Sequence, residues 1–264
     1  MEYIKSVFGK KQIILAIAGG ASLLLAFVLT LIGIHTAKGL DAENLAARWS
    51  KNKDFAQVSC YFSQLSDVTE ETIGELNYKI EKKLREDSIA ASNENARTWI
   101  HAYSANGQAM AVFKEHTGSF KAVGVGGDYF LFHPLKLVHG NYFSDSNIGD
   151  KLVVIDRDVA WQLFGSSDVV GQIIEIGGLQ HTICGVVERE SGRINDLAGN
   201  DKATIYMYYS SLKENGTITY LNMYEALMPN PISGYVASAV RDGLKTVDES
   251  GYRIPFIRCR PSGC

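Results

Sequence analysis

The chain contains many residue types that can do chemistry, and their spacing argues against most of it. His101, His116, His133, His139 and His181 are scattered, and the closest pair, His133 and His139, is six positions apart. A metal centre needs convergent donors, and this spacing does not bring them together. Asp145, Asp150, Asp156 and Asp158 cluster loosely but lack the EF-hand spacing with its Gly and final Glu, so loop and helix-cap roles are expected. No phosphate loop of the GxxxxGK[ST] type occurs, and HExxH, GxSxG and SxxK are absent in a usable context. Gly124, Gly126 and Gly127 do not satisfy GxGxxG and read as a tight turn before Asp128. The triplet Asn215, Gly216, Thr217 is a formal glycosylation sequon, which carries little weight because such triplets arise by chance. Trp49, Trp99 and Trp161 are candidates to line a pocket, with core packing the default for Trp161. The expectation is no catalytic, cofactor-binding or metal-binding residue, and a protein that is not an enzyme. An exported hydrolase ranks behind the other readings, because an active site need not have a local signature.

The four cysteines, Cys60, Cys184, Cys259 and Cys264, fit no zinc spacing. Their density is too low for a disulfide scaffold. Cys60 and Cys184 stand in strand-like apolar runs and are expected to be buried free thiols.

The elements that would position these residues follow from periodicity. Residues 55–62 alternate, with Ala56, Val58, Cys60 and Phe62 on one face and Gln57, Ser59 and Tyr61 on the other, which predicts a half-buried strand. Asp67 with Glu70 suggests a capping box, followed by Ile73, Leu76, Ile80 and Leu84 at helical spacing. The charge run over 81–87 is the solvated face of that helix. Strands are expected near 97–103, 109–114 and 120–125, with Asn106 and Gly107 as a hairpin turn. Residues 151–155 predict a strand and 156–164 a short helix stopped by Gly165. Strands over 172–176 and 180–187 join through Gly177 and Gly178. Residues 189–202 read as a loop and 203–209 as a strand. Strand 217–226, a helix capped by Ser233 and strand 252–257 complete the pattern. A strand–helix–strand unit thus appears near each end. The fold class expected is α+β, of two strand–helix–strand halves with a small β-rich subdomain inserted over about 135–202.

Residues 13–34 carry no charge. At 1.5 Å per residue they span about 33 Å as a helix, matching a hydrocarbon core of about 30 Å. The run is longer than the apolar region of a cleaved signal peptide, and His35, Thr36 and Ala37 make a poor cleavage site. Lys5, Lys10 and Lys11 before it favour a cytoplasmic N-terminus. Small residues at Ala16 and Gly20, and at Ala18 and Ser22, have the spacing that lets a second membrane helix approach. The expected organisation is a cytoplasmic segment 1–12, a transmembrane helix 13–34, a stalk 35–53 and an extracytoplasmic domain 54–264. Of 26 basic and 29 acidic residues, three lysines and one glutamate lie in 1–34, leaving 23 and 28 beyond it, a net charge of −5. That acidity excludes the basic footprint of a nucleic-acid partner.

An ordered set of segments then becomes recognisable. It runs VGVGGDYF at 123–130, GNYFS at 140–144, LVVID at 152–156 and AWQLFG at 160–165. It continues with VG at 170–171, IEIGG at 174–178 and TICGVV at 182–187. MYE at 223–225, PNP at 229–231 and SGY at 233–235 extend it. Together with the preceding apolar helix, this order resembles the extracytoplasmic core domain of MacB-type ABC transporter permeases. The resemblance implies a permease subunit working with a separate ABC ATP-binding subunit, as a homo- or heterodimer in membrane lipid. ATP-driven motion would reach the outer domain through the membrane helices. It also implies further membrane helices after the outer domain. None follows before Cys264, so a truncated or frameshifted gene product is expected. The alternative is a single-pass, membrane-anchored binding or sensor module with the same outer fold. Individual glycines have folding roles in either case: Gly165 ends a helix, Gly171 turns the chain into a hairpin, and Gly185 marks a bulge or close approach within a strand.

Overall fold

The computed structural model describes residues 10–38, 45–50, 54–63, 68–91, 96–145, 151–189, 202–216, 218, 220–247 and 258–262. Two compact units are distinguished, Met1–Glu43 and Asn44–Cys264. In the first, helix α1 (Lys10–Lys38) runs for 29 residues and includes all of the apolar stretch 13–34. Its Ser22 and Thr30 hydroxyls donate to the carbonyls of Ala18 and Ala26, so neither is left unsatisfied on an apolar helix. Among the described residues, no helix is long and apolar enough to cross a membrane.

The second unit is a mixed sheet with helices on both faces. Its strands are β1 (Phe55–Tyr61), β2 (Ile100–Phe113), β3 (His116–Gly127), β4 (Leu137–Gly140) and β5 (Leu152–Asp156). They continue with β6 (Ile173–Ile176), β7 (Leu179–Val187), β8 (Thr204–Tyr208), β9 (Met223–Pro229) and β10 (Arg258–Ser262). The order across the sheet is β10-β1-β9-β2-β3-β8-β5-β7-β4, with β6 pairing both β2 and β7. Pairs β3/β8 and β5/β7 are parallel; the others are antiparallel. The helices are α2 (Leu45–Trp49), α3 (Glu70–Glu86), α4 (Tyr129–Phe132), α5 (Arg157–Phe164), α6 (Tyr209–Glu214) and α7 (Tyr235–Val247).

Helix α7 lies against β10, β1 and β9 and packs on α3, whose Asn77 meets Tyr224 of β9 and His101 of β2, so the two terminal strand–helix–strand units share one layer. Ile73, Leu76, Ile80 and Leu84 of α3 are buried with Val236, Ala239, Val240 and Leu244 of α7. Each full burial of such a side chain contributes roughly 1.5–3 kcal/mol. A Cβ at Gly243 would stand 2.5 Å from Leu76 Cδ1, so the glycine sets how closely the helices approach. The cap of α3 is Thr69, in a reciprocal arrangement with Thr72. It is not the expected Asp67, which lies outside the described residues. Helix α5 meets its expectation: Asp156 caps it, and Gly165, at φ 68°, ends it.

The expected turn at Asn106 and Gly107 is corrected. Strand β2 runs unbroken through both, which stand opposite Val123 and Ala122 of β3. The chain reverses instead at Lys114 and Glu115, Lys114 adopting φ 54°. A two-residue turn signal is local, whereas fourteen residues of register against β3 and β9 are not, and the longer ladder wins. Gly177 and Gly178, at φ 60° and 80°, do form the expected two-residue hairpin between β6 and β7. The β5/β7 register slips at Val153/Val154, and a Cβ on Gly185 would lie 2.4 Å from the Asn141 carbonyl. Gly185 therefore serves both a bulge and a close approach. Strand β9 starts at Met223, not at 217. Expectations for 252–257 and for most of the loop 189–202 fall outside the described residues.

Candidate functional site

The sheet's two faces differ in chemistry. Alternation in β1, β2, β5, β8 and β9 sends Val58, Ala105, Ile155, Ile205 and Tyr224 into the core beneath the helices. The residues between them point the other way, and several are polar yet buried. Gln57, Ser59, Ser104, Asp156, Thr204 and Glu225 all lie on that second face, at 0–6 % exposure. Gln57 and Ser59 read as solvent-facing in the sequence. They are instead covered, because α2 and the segment around α4 pack on that face through Leu45, Ala46, Tyr129, Phe132 and Leu135.

Buried polar groups need partners, and Glu225 provides a centre for them. Its Oε1 accepts from Ser59 Oγ at 2.7 Å and from Gln57 Nε2 at 3.2 Å. Its Oε2 lies 2.5 Å from His133 Nε2. The Gln57 side-chain oxygen, Oε1, accepts from the Leu45 backbone N–H at 3.2 Å. Arg48 of α2 donates to the Leu131 carbonyl at 3.0 Å. Helix α2 is thus tied at one end to the buried carboxylate network and at the other to α4. The order of groups also bears on catalysis. A serine nucleophile needs its hydroxyl on the imidazole of a general base. Here the carboxylate separates Ser59 from His133, so the three residues do not form a nucleophile–base pair.

His133 is placed by a well-fixed loop. Gly127 takes φ 65° at the end of β3, where a Cβ would meet the His101 carbonyl at 2.4 Å. Its N–H donates to both Asp145 carboxylate oxygens at 3.1 Å. Arg97 reaches both oxygens of Asp128 at 2.8 Å. The chain then enters α4, and the Tyr129 and His133 rings stack at 4.5 Å. Of the glycines expected to turn before Asp128, Gly127 does so. Gly126 instead makes room for Tyr103, whose ring carbon would lie 2.1 Å from an added Cβ.

Beside His133 opens a cavity of about 450 Å³ on the polar face. It is lined by Ser104, Val123, Tyr206 and Met223 of the sheet and by Tyr129, His133 and Leu135. Asp156, Glu188, Arg189, Lys121, Thr204 and Tyr61 also line it. Asp156 is held by the Val159 N–H at 2.8 Å and the Thr204 N–H at 2.7 Å. Burial pushes its carboxyl up to about 6 despite those donors.

The remaining candidates have other placements. His101 packs between Trp99, at 5.2 Å between rings, and Tyr224, and its Nε2 lies 2.9 Å from Asn77 Nδ2. Burial holds its imidazole below the ordinary range. His181 is buried, with Nδ1 3.0 Å from the Leu179 carbonyl and Nε2 unpartnered among the described residues. Asp158 pairs with Arg189 at 2.6 Å, and Asp150 lies outside the described residues. Among the described residues no cluster of His, Cys, Asp and Glu could hold a metal. Trp161 is 56 % exposed, against the expectation of core packing, because α5 turns Leu163 and Ala160 to the sheet. Asn215 caps the end of α6, and its amide atoms are buried against Gly177. That geometry leaves the sequon no exposed acceptor amide in the folded state. Cys184 is free, and burial pushes its thiol up to about 11. Cys60, expected as a free thiol, is disulfide-bonded. Its register partner across the β1/β10 ladder is Cys259.

The sequence matches the family model described as the MacB-like periplasmic core domain over residues 14–245. A macrolide export ATP-binding/permease protein, MacB 2, of Aeromonas hydrophila is 37 % identical over 82 residues, 30 % of this chain and 13 % of that protein. The MacB of Chromobacterium violaceum is 34 % identical over 92 residues, 34 % of this chain and 14 % of that protein. The matches thus span only a small fraction of those relatives' length. The fold is similar to that of the extracellular domain of a noncanonic ABC-type transporter, YknZ, from Gram-positive bacteria. There the TM-score is 0.51 at 16 % identity, over 78 % of this chain and 98 % of that one. It is also similar to the periplasmic region of MacB from Actinobacillus actinomycetemcomitans. That comparison gives a TM-score of 0.50 at 15 % identity, over 78 % and 88 % of the two chains.

Proposed function

The chain belongs to the family of MacB-like periplasmic core domains, and from that premise we infer that it is a permease component of an ABC transporter whose folded unit acts outside the membrane. The observation that carries this reading is the family match, which extends from within α1 to within α7 and so takes in most of the apolar helix and strands β1 to β9. In this reading the full apolar run 13–34, which extends beyond the described side chains in which no span is found, crosses the membrane with residues 1–12 in the cytoplasm. The apolar side chains of α1 described between Ile14 and Leu31 are exposed on every side, as a lipid-facing helix requires. The unit 44–264 lies outside the membrane, non-catalytic and without cofactor. ATP hydrolysed by a cytoplasmic ABC subunit moves it, and the permease works as a dimer. The A. hydrophila and C. violaceum relatives are named as ATP-binding and permease proteins in one, which supports an ATP-driven role.

A second reading, a membrane-anchored binding module without transport activity, is favoured by one observation: the polar cavity beside His133. Purification of the tagged full-length chain from its native membranes separates the two. An ABC ATP-binding protein should co-purify and show ATPase activity that depends on the chain. Recovery of the chain without any such partner would remove the transport reading. A membrane-impermeant thiol reagent applied to intact cells should label a cysteine introduced at Ser50 and not one introduced at Ser6; the reverse pattern would overturn the orientation.

A further inference from the structure

We propose that the cavity beside His133 is a binding site for a small zwitterionic molecule with an apolar or aromatic side group, of amino-acid or dipeptide size. The volume of about 450 Å³ is the first reason. It lies in the range of small-molecule sites and is too small for a folded partner.

The second reason is the polarity of the strand residues that line the cavity. Ser104, Asp156 and Thr204 are 5 %, 2 % and 6 % exposed, in strands where apolar residues would pack at lower cost. The opposite face of the same strands, under α3, α5, α6 and α7, follows the apolar rule, so the polar face is a local departure from it.

The third reason is the distribution of charge. Lys121 and Arg189 share the lining with Asp156 and Glu188. A purely anionic ligand would meet two carboxylates, and a purely cationic one two cations. A hydrocarbon would desolvate all four without returning a hydrogen bond. A molecule with both an ammonium and a carboxylate satisfies both signs. Glu188 already binds Arg157 at 2.8 Å and Arg189 binds Asp158 at 2.6 Å, so these groups are held in place before a ligand arrives. The stacked Tyr129 and His133 rings, with Tyr206 6.3 Å from Tyr129, supply a flat surface for an aromatic side group.

This site requires neither an ATPase nor a second membrane helix, so its test succeeds or fails independently of transport. The full-length chain in detergent micelles is titrated calorimetrically with a panel of amino acids and dipeptides bearing aromatic, branched and small side chains. The same dipeptides, N-acetylated and C-amidated, a simple glycoside and inorganic phosphate form the comparison set. Saturable binding of at least one free dipeptide or amino acid, at least tenfold weaker for its blocked form, is expected. Lys121→Met and Glu188→Gln should each weaken it at least tenfold, while Lys82→Met, on the solvated side of α3, leaves it unchanged. Thermal melts of each variant confirm folding. No binding across the panel, equal binding of free and blocked forms, preference for the glycoside or phosphate, or binding insensitive to both cavity variants would overturn the proposal.

Discussion

His133 Nε2 and Glu225 Oε2 lie 2.5 Å apart, with the carboxylate side chain 3 % exposed and the imidazole 20 % exposed. The pair joins the cavity wall to the interior of the sheet. Through Gln57 it continues to the Leu45 backbone in α2, seven residues along the chain from the end of α1 at Lys38.

Glu225 accepts hydrogen bonds from Ser59 and Gln57 as well as facing His133, so removing it strands several buried groups. Glu225→Ala should destabilise the unit Asn44–Cys264 by about 2–4 kcal/mol, the range for breaking a buried charged network. Glu225→Gln retains an acceptor for Ser59 and should cost markedly less. Urea denaturation of a fragment beginning at Asn44 reads both, and also shows whether that unit unfolds in one transition. Equal loss in the two variants would mean that packing volume, not the acceptor, holds the site together.

Asp156 supplies a pH-dependent term of known sign. Its carboxyl is pushed up to about 6 by burial, so the folded state holds the proton more tightly than the unfolded chain does. Stability from this group is therefore fully present below about pH 4 and is lost as pH rises through about 6, a change of roughly 2–3 kcal/mol. Asp156→Asn abolishes that titration. It also turns a donor toward the Thr204 N–H, which now donates to Oδ2 at 2.7 Å. The stability of the wild type minus that of the variant, measured by denaturant titration from pH 4 to 7, should fall with rising pH. A difference that rises with pH would show that the carboxylate is favoured by its two backbone donors more than it is penalised by burial.

How far the sequence reveals this arrangement depends on the range of the interaction involved. Helix α5, with Asp156 at its start and Gly165 at its end, is legible because both signals act within one turn. So is the Gly177–Gly178 hairpin. The path of β2 through Asn106 and Gly107 is not legible, because strands distant in sequence set it. The candidate site is hidden for a related reason. Polar residues at alternate positions ordinarily mean a solvated face, and Gln57 and Ser59 conform to that pattern. Only the packing of α2 and α4 reveals that the face is buried. The one local signal is Glu225, a lone carboxylate inside the apolar run of β9, which is unusual unless the charge has partners.

Two glycines separate steric demand from mere tolerance. An added Cβ at Gly126 would fall 2.1 Å from the Tyr103 ring, whose hydroxyl is fixed on Glu70 at 2.6 Å. The ring cannot swing away without releasing that bond, so Gly126→Ala should cost about 1–3 kcal/mol. At Gly74, within α3, nothing lies within 4 Å of the place an added methyl would take. Gly74→Ala there should gain up to about 1 kcal/mol from helix propensity. Melting curves of the two variants should shift in opposite directions. A neutral Gly126→Ala would mean that the Tyr103–Glu70 contact is readily given up.

The disulfide at Cys60 predicts a difference in thiol reactivity within one chain. Cys60 is 0 % exposed and bonded, and Cys184 is free. If the chain is unfolded in guanidinium without reductant and alkylated, Cys184 should be modified completely and Cys60 not at all. Prior reduction should make both react, which peptide mass spectrometry resolves site by site. In the native fold Cys184 should react slowly, because burial raises its thiol to about 11 and Sγ donates to the Val153 carbonyl at 3.3 Å. Because Cys259 faces Cys60 in the β1/β10 register, the same mapping should recover the Cys60 peptide joined to a C-terminal one. Loss of that link should weaken β10 first, since β10 lies at the edge of the sheet and pairs only with β1 among the described strands. Faster amide exchange over 258–262 after reduction, with β9 and β2 unchanged, is the expected result. Uniform exchange before and after would show that backbone pairing alone holds the last strand.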